Sequence, residues 1–190
     1  RPELEGLHLA EVARRAGREP AQAMMDLVLS EKAGVSMVSF SQSEENVATA
    51  TSYVHAMIGS DSLSLHAGPG PHRGKPHPRS YGTFPRVLGR YVRERRLFPW
   101  ETAIHKMTGL TARALRLKDR GLLKEGYRAD IALFDPADFK DQATYTDPHR
   151  YPTGARTTVL VNGEVVIDNA THTGALPGRV LRRDASGAVA

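Results

Sequence analysis

Residues Met57–Pro85 read M-I-G-S-D-S-L-S-L-H-A-G-P-G-P-H-R-G-K-P-H-P-R-S-Y-G-T-F-P, and the fold turns on this stretch. A short apolar run, Met57-Ile58, enters Gly59-Ser60-Asp61, and the chain then leaves regular structure for about twenty residues. Glycine suits a tight strand exit, which places Asp61 at a strand's C-terminal end. In α/β barrels that is the face where chemistry is done. Long loops with no structure of their own are usually functional or disordered. This one is rich in Gly and Pro, yet it carries His66, His72, Arg73, Lys75, His77 and Arg79. A carboxylate beside imidazoles and guanidinium groups suits metal-assisted or acid–base chemistry.

Upstream, Val35–Phe40 reads as a strand bounded by Gly34 and Ser41-Gln42-Ser43. Ser43 is a good N-cap, and Glu44 and Glu45 suit the positive end of the helix that follows. Val47, Ala50, Thr51 and Val54 give that helix a buried stripe, and the strand Met57–Ser60 comes next. Strand, helix and strand within about 25 residues form a βαβ unit with parallel strands. Further back, Leu9, Val12, Ala13 and Ala16 share one helical face that stops at Gly17. Pro20 opens a second helix, with Met24, Met25, Leu27 and Val28 inward, ending near Gly34.

Downstream, Phe84-Pro85 is expected to open an Arg-rich helix. Pro99 opens another, with Ala103, Ile104 and Met107 inward, and Thr111 caps a short helix through Leu115. The character then changes. Gly126-Tyr127 is a turn, Ala129–Phe134 a strand and Pro136–Pro152 a polar connector. Thr157–Val161 and Glu164–Asp168 flank Asn162-Gly163, a strong hairpin signal. A boundary near Leu122 divides barrel-type α/β structure (residues 1–122) from a small β-rich unit (residues 123–190).

The 190 residues suffice for one ordinary domain, or for part of a large domain plus a small one. Hydrophobic residues at 40% and charged residues at 25% are those of a soluble globular protein. No run approaches the roughly 18 apolar residues of a membrane span. Arg1-Pro2-Glu3 is no secretory signal, and a cytoplasmic protein is expected. Without cysteine, disulfides and thiolate metal sites are excluded within this chain. A net charge of +5 raises the question of nucleic acid. Much of it lies in Arg86–Arg96, interleaved with Val87, Leu88, Tyr91 and Val92, which is the pattern of a solvated amphipathic helix face. There is no helix-turn-helix, zinc-finger or RNA-recognition signature.

G-S-D-S followed by H-P-R-S-Y-G-T-F-P-R-V-L-G-R-Y-V-R-E resembles the D-aminoacylase (N-acyl-D-amino-acid deacylase) branch of the amidohydrolase superfamily. So do K-M-T-G-L-T-A, D-R-G-L-L-K-E-G-Y-R-A-D-I-A-L-F-D-P, V-L-V-N-G-E-V-V and T-G-A-L-P-G-R-V-L-R-R. The resemblance runs in order along nearly the whole chain. It implies the C-terminal part of a metal-dependent hydrolase with a TIM-like barrel, followed by strands of a small β-sandwich. It also implies zinc, one or two ions, held by an H-x-H, two further histidines and a bridging Cys or Lys, all upstream of Arg1. The activity implied is hydrolysis of N-acyl-D-amino acids to a carboxylate and a D-amino acid. The implied partners are that small substrate and the missing N-terminal portion, with neither nucleic acid nor membrane.

By local sequence Asp61 could simply cap a turn. The resemblance implies a catalytic carboxylate that also contributes to the metal, taking a proton as water attacks and returning it to the leaving amine. The family generally has Gly where this chain has Ser62, so a positive φ there would be strained. Arg79 could pair with any surface carboxylate. Its planar fork also fits a substrate carboxylate, the role that the H-P-R motif implies. His77 and Tyr81 are expected on the same wall. The spacing of His66, His72 and His77 follows no helical or zinc-finger pattern, so no local zinc site is read from them. His8, His55, His105, His149 and His172 read as surface or cap residues. Asp130 is expected to serve backbone amides or Arg128. Rival readings are an amidohydrolase acting on cyclic amides or dipeptides, and a noncatalytic basic α/β binding module.

Overall fold

The computed structural model describes residues 1–68, 70, 72, 74–154 and 156–189. Arg73 of the cationic loop lies outside the described residues. Helices come first and a four-stranded antiparallel sheet last. No helix is long and apolar enough to cross a membrane.

Helix α1 (Leu9–Ala16) ends at Gly17, whose φ of 61° is the left-handed stop that glycine supplies without strain. Helix α2 (Pro20–Ser30) starts on Pro20, which has no amide to leave unsatisfied there. The two pack through Val12, Ala13 and Ala23. Met24, Met25 and Val28, expected inward, are exposed, because α1 is too short to cover the whole stripe of α2. In α3 (Glu44–Ser52) the Ser43 hydroxyl accepts the Asn46 amide at 3.1 Å, as the capping signal predicts.

The strands expected at Val35–Phe40 and Met57–Ser60 do not form, so only the helix of the βαβ unit is present. A strand is defined by a neighbour, and no second strand lies beside either segment among the described residues. The Ile58 amide instead donates to the Lys106 carbonyl at 3.4 Å.

The Arg-rich helix begins earlier than Phe84. Helix α4 (Arg79–Arg86) contains Pro85, and a π-helix continues it over Val87–Glu94. Proline lacks the amide and crowds the preceding turn, so the wider π register follows directly after it. The buried stripe is Val87, Leu88, Tyr91 and Val92, which meets Ile58, Phe98 and Ala103 to form the core. The wet face is paired within the chain. Arg86, Arg90 and Arg95 converge on the Glu44 carboxylate at 3.3–3.5 Å, and Arg86 also reaches Asp141.

Helix α5 (Trp100–Met107) follows Pro99, with Ala103 fully buried but Ile104 partly exposed. Helix α6 (Gly109–Leu115) starts two residues before Thr111, whose hydroxyl donates back to the Lys106 carbonyl at 2.9 Å rather than capping. Lys106 is 1% exposed. Its amine donates to the carbonyls of Tyr53 and Ala56, at the end of α3 and the turn beyond it. No carboxylate pairs with it among the described residues, and burial pushes its pKa down.

The sheet runs in order β1 (Ile131–Leu133), β2 (Thr158–Val161), β3 (Glu164–Asp168) and β4 (Thr171–His172), all antiparallel. At the β2–β3 turn Asn162 has φ 51° and Gly163 φ 86°, the pair of left-handed residues that a two-residue hairpin requires. Asp130 accepts the Asn162 amide at 2.7 Å, as expected of it. Its cation, however, is Arg120, which also reaches the Asn162 side chain at 2.6 Å. Arg128 pairs with Asp119 instead, since Arg120 approaches Asp130 from a largely buried position.

Candidate functional site

Asp61 and Arg79, singled out separately in the sequence, meet in the structure. Arg79 Nη2 forms an ion pair with Asp61 Oδ2 at 2.8 Å, and Arg79 Nε donates to the Asp61 main-chain carbonyl at 3.1 Å. The left-handed backbone falls on Asp61 itself, with φ 48°. Aspartate tolerates that region better than most residues. Ser62 has no positive φ, so the departure from glycine brings no left-handed strain. The Asp61 side chain is 87% exposed, so the pair is open to solvent and contributes little to stability. Its value lies in placing an oxygen donor and a planar cation on one open face.

His77 fixes how α4 begins. The Arg79 amide has no helical acceptor at that position, and His77 Nδ1 accepts it at 3.0 Å. That leaves the ring proton on Nε2, which lies 3.3 Å from the Tyr145 hydroxyl. Burial, with the charges of Arg79 and Arg86 behind it, pushes the His77 pKa below its ordinary value.

Tyr81 is buried, and burial raises the pKa of its phenol. Its hydroxyl lies 3.1 Å from both the His66 carbonyl and His149 Nδ1. Tyr81 thus ties the loop down from within rather than presenting a free hydroxyl.

The connector supplies what the sequence reading missed. His149, read there as a surface residue, stacks on His72 at 4.2 Å with an 11° tilt, and its Nε2 lies 3.0 Å from the Gly74 carbonyl. Tyr151 accepts the Ala67 amide at 3.0 Å and lies 3.2 Å from His66 Nδ1. The available signal was three ring-bearing residues, Tyr145, His149 and Tyr151, in an otherwise polar segment. The imidazoles are engaged with aromatic rings, hydroxyls and carbonyls. Among the described residues, no group of three or more His, Asp or Glu could hold a metal ion. The exposed Asp61 carboxylate is a hard oxygen donor of the kind zinc accepts.

Residues 6–167 match the Amidohydrolase family. Among curated proteins of Alcaligenes xylosoxydans xylosoxydans, a D-aminoacylase is 43% identical over 97% of this chain and 36% of its own length. An N-acyl-D-glutamate deacylase of the same organism is 42% identical over 97% of this chain and 35% of its own. A solved structure of D-aminoacylase superposes with TM-score 0.75 at 40% identity, over 88% of this chain and 32% of that one. The N-acyl-D-glutamate deacylase of Bordetella bronchiseptica, solved with zinc and a phosphonate mimic of its tetrahedral intermediate, gives TM-score 0.73 at 38% identity, over 84% of this chain and 31% of that one. The chain spans about a third of the length of the relatives it matches. It belongs to the amidohydrolase family.

Proposed function

We propose that this chain is the C-terminal part of a zinc-dependent amidohydrolase that cleaves N-acyl-D-amino acids to a carboxylate and a D-amino acid. Residues 1–122 belong, on this reading, to a barrel completed by strands outside this chain, and residues 123–190 to a composite β-sandwich. The observation that carries the reading is the meeting of Asp61 and Arg79 on an open face at 2.8 Å, in a chain about 40% identical to deacylases of this type.

Asp61 is the acid/base and contributes its carboxylate to the metal, whose other ligands come from the rest of the enzyme. Zinc, when bound, makes water more acidic and polarises the amide carbonyl. Asp61 takes one proton from the attacking water as oxygen bonds to the carbonyl carbon. It returns that proton to the amine nitrogen as the C–N bond breaks. Arg79 exchanges its contact with Asp61 for the free carboxylate of the substrate, which its fork holds through two parallel bonds. His77 and Tyr81 shape this wall by fixing the start of α4 and the loop above it.

In the full-length enzyme, Asp61→Asn keeps the shape and removes the base. Turnover should fall by at least ~10²-fold with the fold intact. A purified variant working at close to the parental rate rules out the acid/base assignment.

A further inference from the structure

We propose that Tyr145 is a positioning residue for the Arg79 guanidinium, acting through His77. The proposal rests on the reading of Arg79 as the clamp for the substrate carboxylate. An amide N–H can only donate, so His77 Nδ1, 3.0 Å from the Arg79 nitrogen, must be unprotonated. The neutral ring then carries its proton on Nε2 and donates it to the Tyr145 oxygen at 3.3 Å. The two rings meet edge to face, with centroids 5.2 Å apart at 85°.

Tyr145 is itself held from behind. Phe40 packs against it at 4.7 Å, and His8 stacks on Phe40 at 5.5 Å. The Lys75 amine donates to the carbonyl of Thr146, tying the next connector residue to the same loop. The imidazole is thus pinned at both nitrogens, on one side to the connector and on the other to the first residue of α4. That residue's side chain makes the contact with Asp61 at 2.8 Å. The connector therefore sets the direction in which the guanidinium points. Without the Tyr145 oxygen, Nε2–H has no acceptor among the described residues, and the ring can turn away from the Arg79 amide.

Tyr145→Phe in the full-length enzyme keeps the ring packing and deletes the oxygen. The probes are N-acetyl-D-leucine and its carboxamide. KM for the free acid should rise about threefold to tenfold, the scale of one net hydrogen bond, with kcat within about twofold. KM for the carboxamide, which lacks the charge that Arg79 binds, should not move. Arg79→Lys, run alongside, should erase the preference for the acid. If Tyr145→Phe leaves the acid KM unchanged while Arg79→Lys raises it, the positioning role is overturned and the clamp stands. Equal losses of kcat and KM on both substrates in Tyr145→Phe would reduce Tyr145 to packing and also overturn the role. An Arg79→Lys enzyme that still prefers the acid overturns the clamp, and the role of Tyr145 with it.

Discussion

At His77, the hydrogen bond to the start of α4 depends on which nitrogen carries the proton. Only the neutral ring can accept the Arg79 amide at Nδ1, and the groups facing it are Arg79, Arg86 and the Tyr145 hydroxyl. Its folded pKa is depressed, so the contribution of this bond is complete above the ordinary histidine value of about 6.5. That contribution is lost as pH falls through the lower folded value. For the full-length enzyme, kcat/KM on a free-acid substrate should therefore drop on the acid side, and His77→Gln, which cannot titrate, should flatten that limb. An identical acid limb in His77→Gln would assign it to another group. Asp61 and Arg79, which meet in the structure, were singled out from the sequence because their chemistry is written in their side chains. Tyr145 and His149 were not, since each meets a partner 68 residues away, His77 and Tyr81 respectively, and nothing local names that partner.

Among elements, the helices were legible and the early strands were not. Helix signals are local: Gly17, Pro20, Ser43 and Pro99 mark ends through their own backbone preferences. Val35–Phe40 and Met57–Ser60 have strand composition, but a ladder needs a second strand, and composition cannot provide one. Pro85 misled for a related reason, since proline commonly opens a helix and here sits where α4 widens into the π register. In place of a ladder, Lys106 fastens the segment that leads to Asp61. It grips Tyr53 and Ala56 with its amine and Ile58 with its carbonyl. Lys106→Met fills the space but supplies no donor, leaving the two carbonyls without their buried partner. Stability should fall by about 1–3 kcal/mol, read as a lower urea midpoint at unchanged slope. A midpoint equal to the parent's would mean that the lysine contributes only its aliphatic stem.

For the molecule as a whole, the proposed single metal donor among the described residues and the many exposed apolar side chains lead to one expectation. Met25, Leu29, Met37, Leu63, Leu123 and Leu176 are all more than half exposed, and large apolar side chains in such numbers favour burial against other chains or domains. Residues 1–190 alone should neither turn over substrate nor bind zinc stoichiometrically, and they should self-associate. Calorimetric titration with zinc beside light scattering checks this; tight one-to-one binding by a monomer would contradict it. The sheet end of the molecule has a different vulnerability. Asn-Gly is the dipeptide most prone to spontaneous deamidation, in which the glycine nitrogen attacks the asparagine side-chain carbon and ammonia leaves. At Asn162-Gly163 every participant is occupied. Arg120 holds the side-chain oxygen, the Pro177 carbonyl accepts the side-chain NH₂, and the glycine amide donates to Ala129 at 2.9 Å. The salt-bridged arginine is therefore also a guard against ageing. Arg120→Ala should accumulate isoaspartate at residue 162 well before the parent protein does, as peptide mapping after warm storage would reveal.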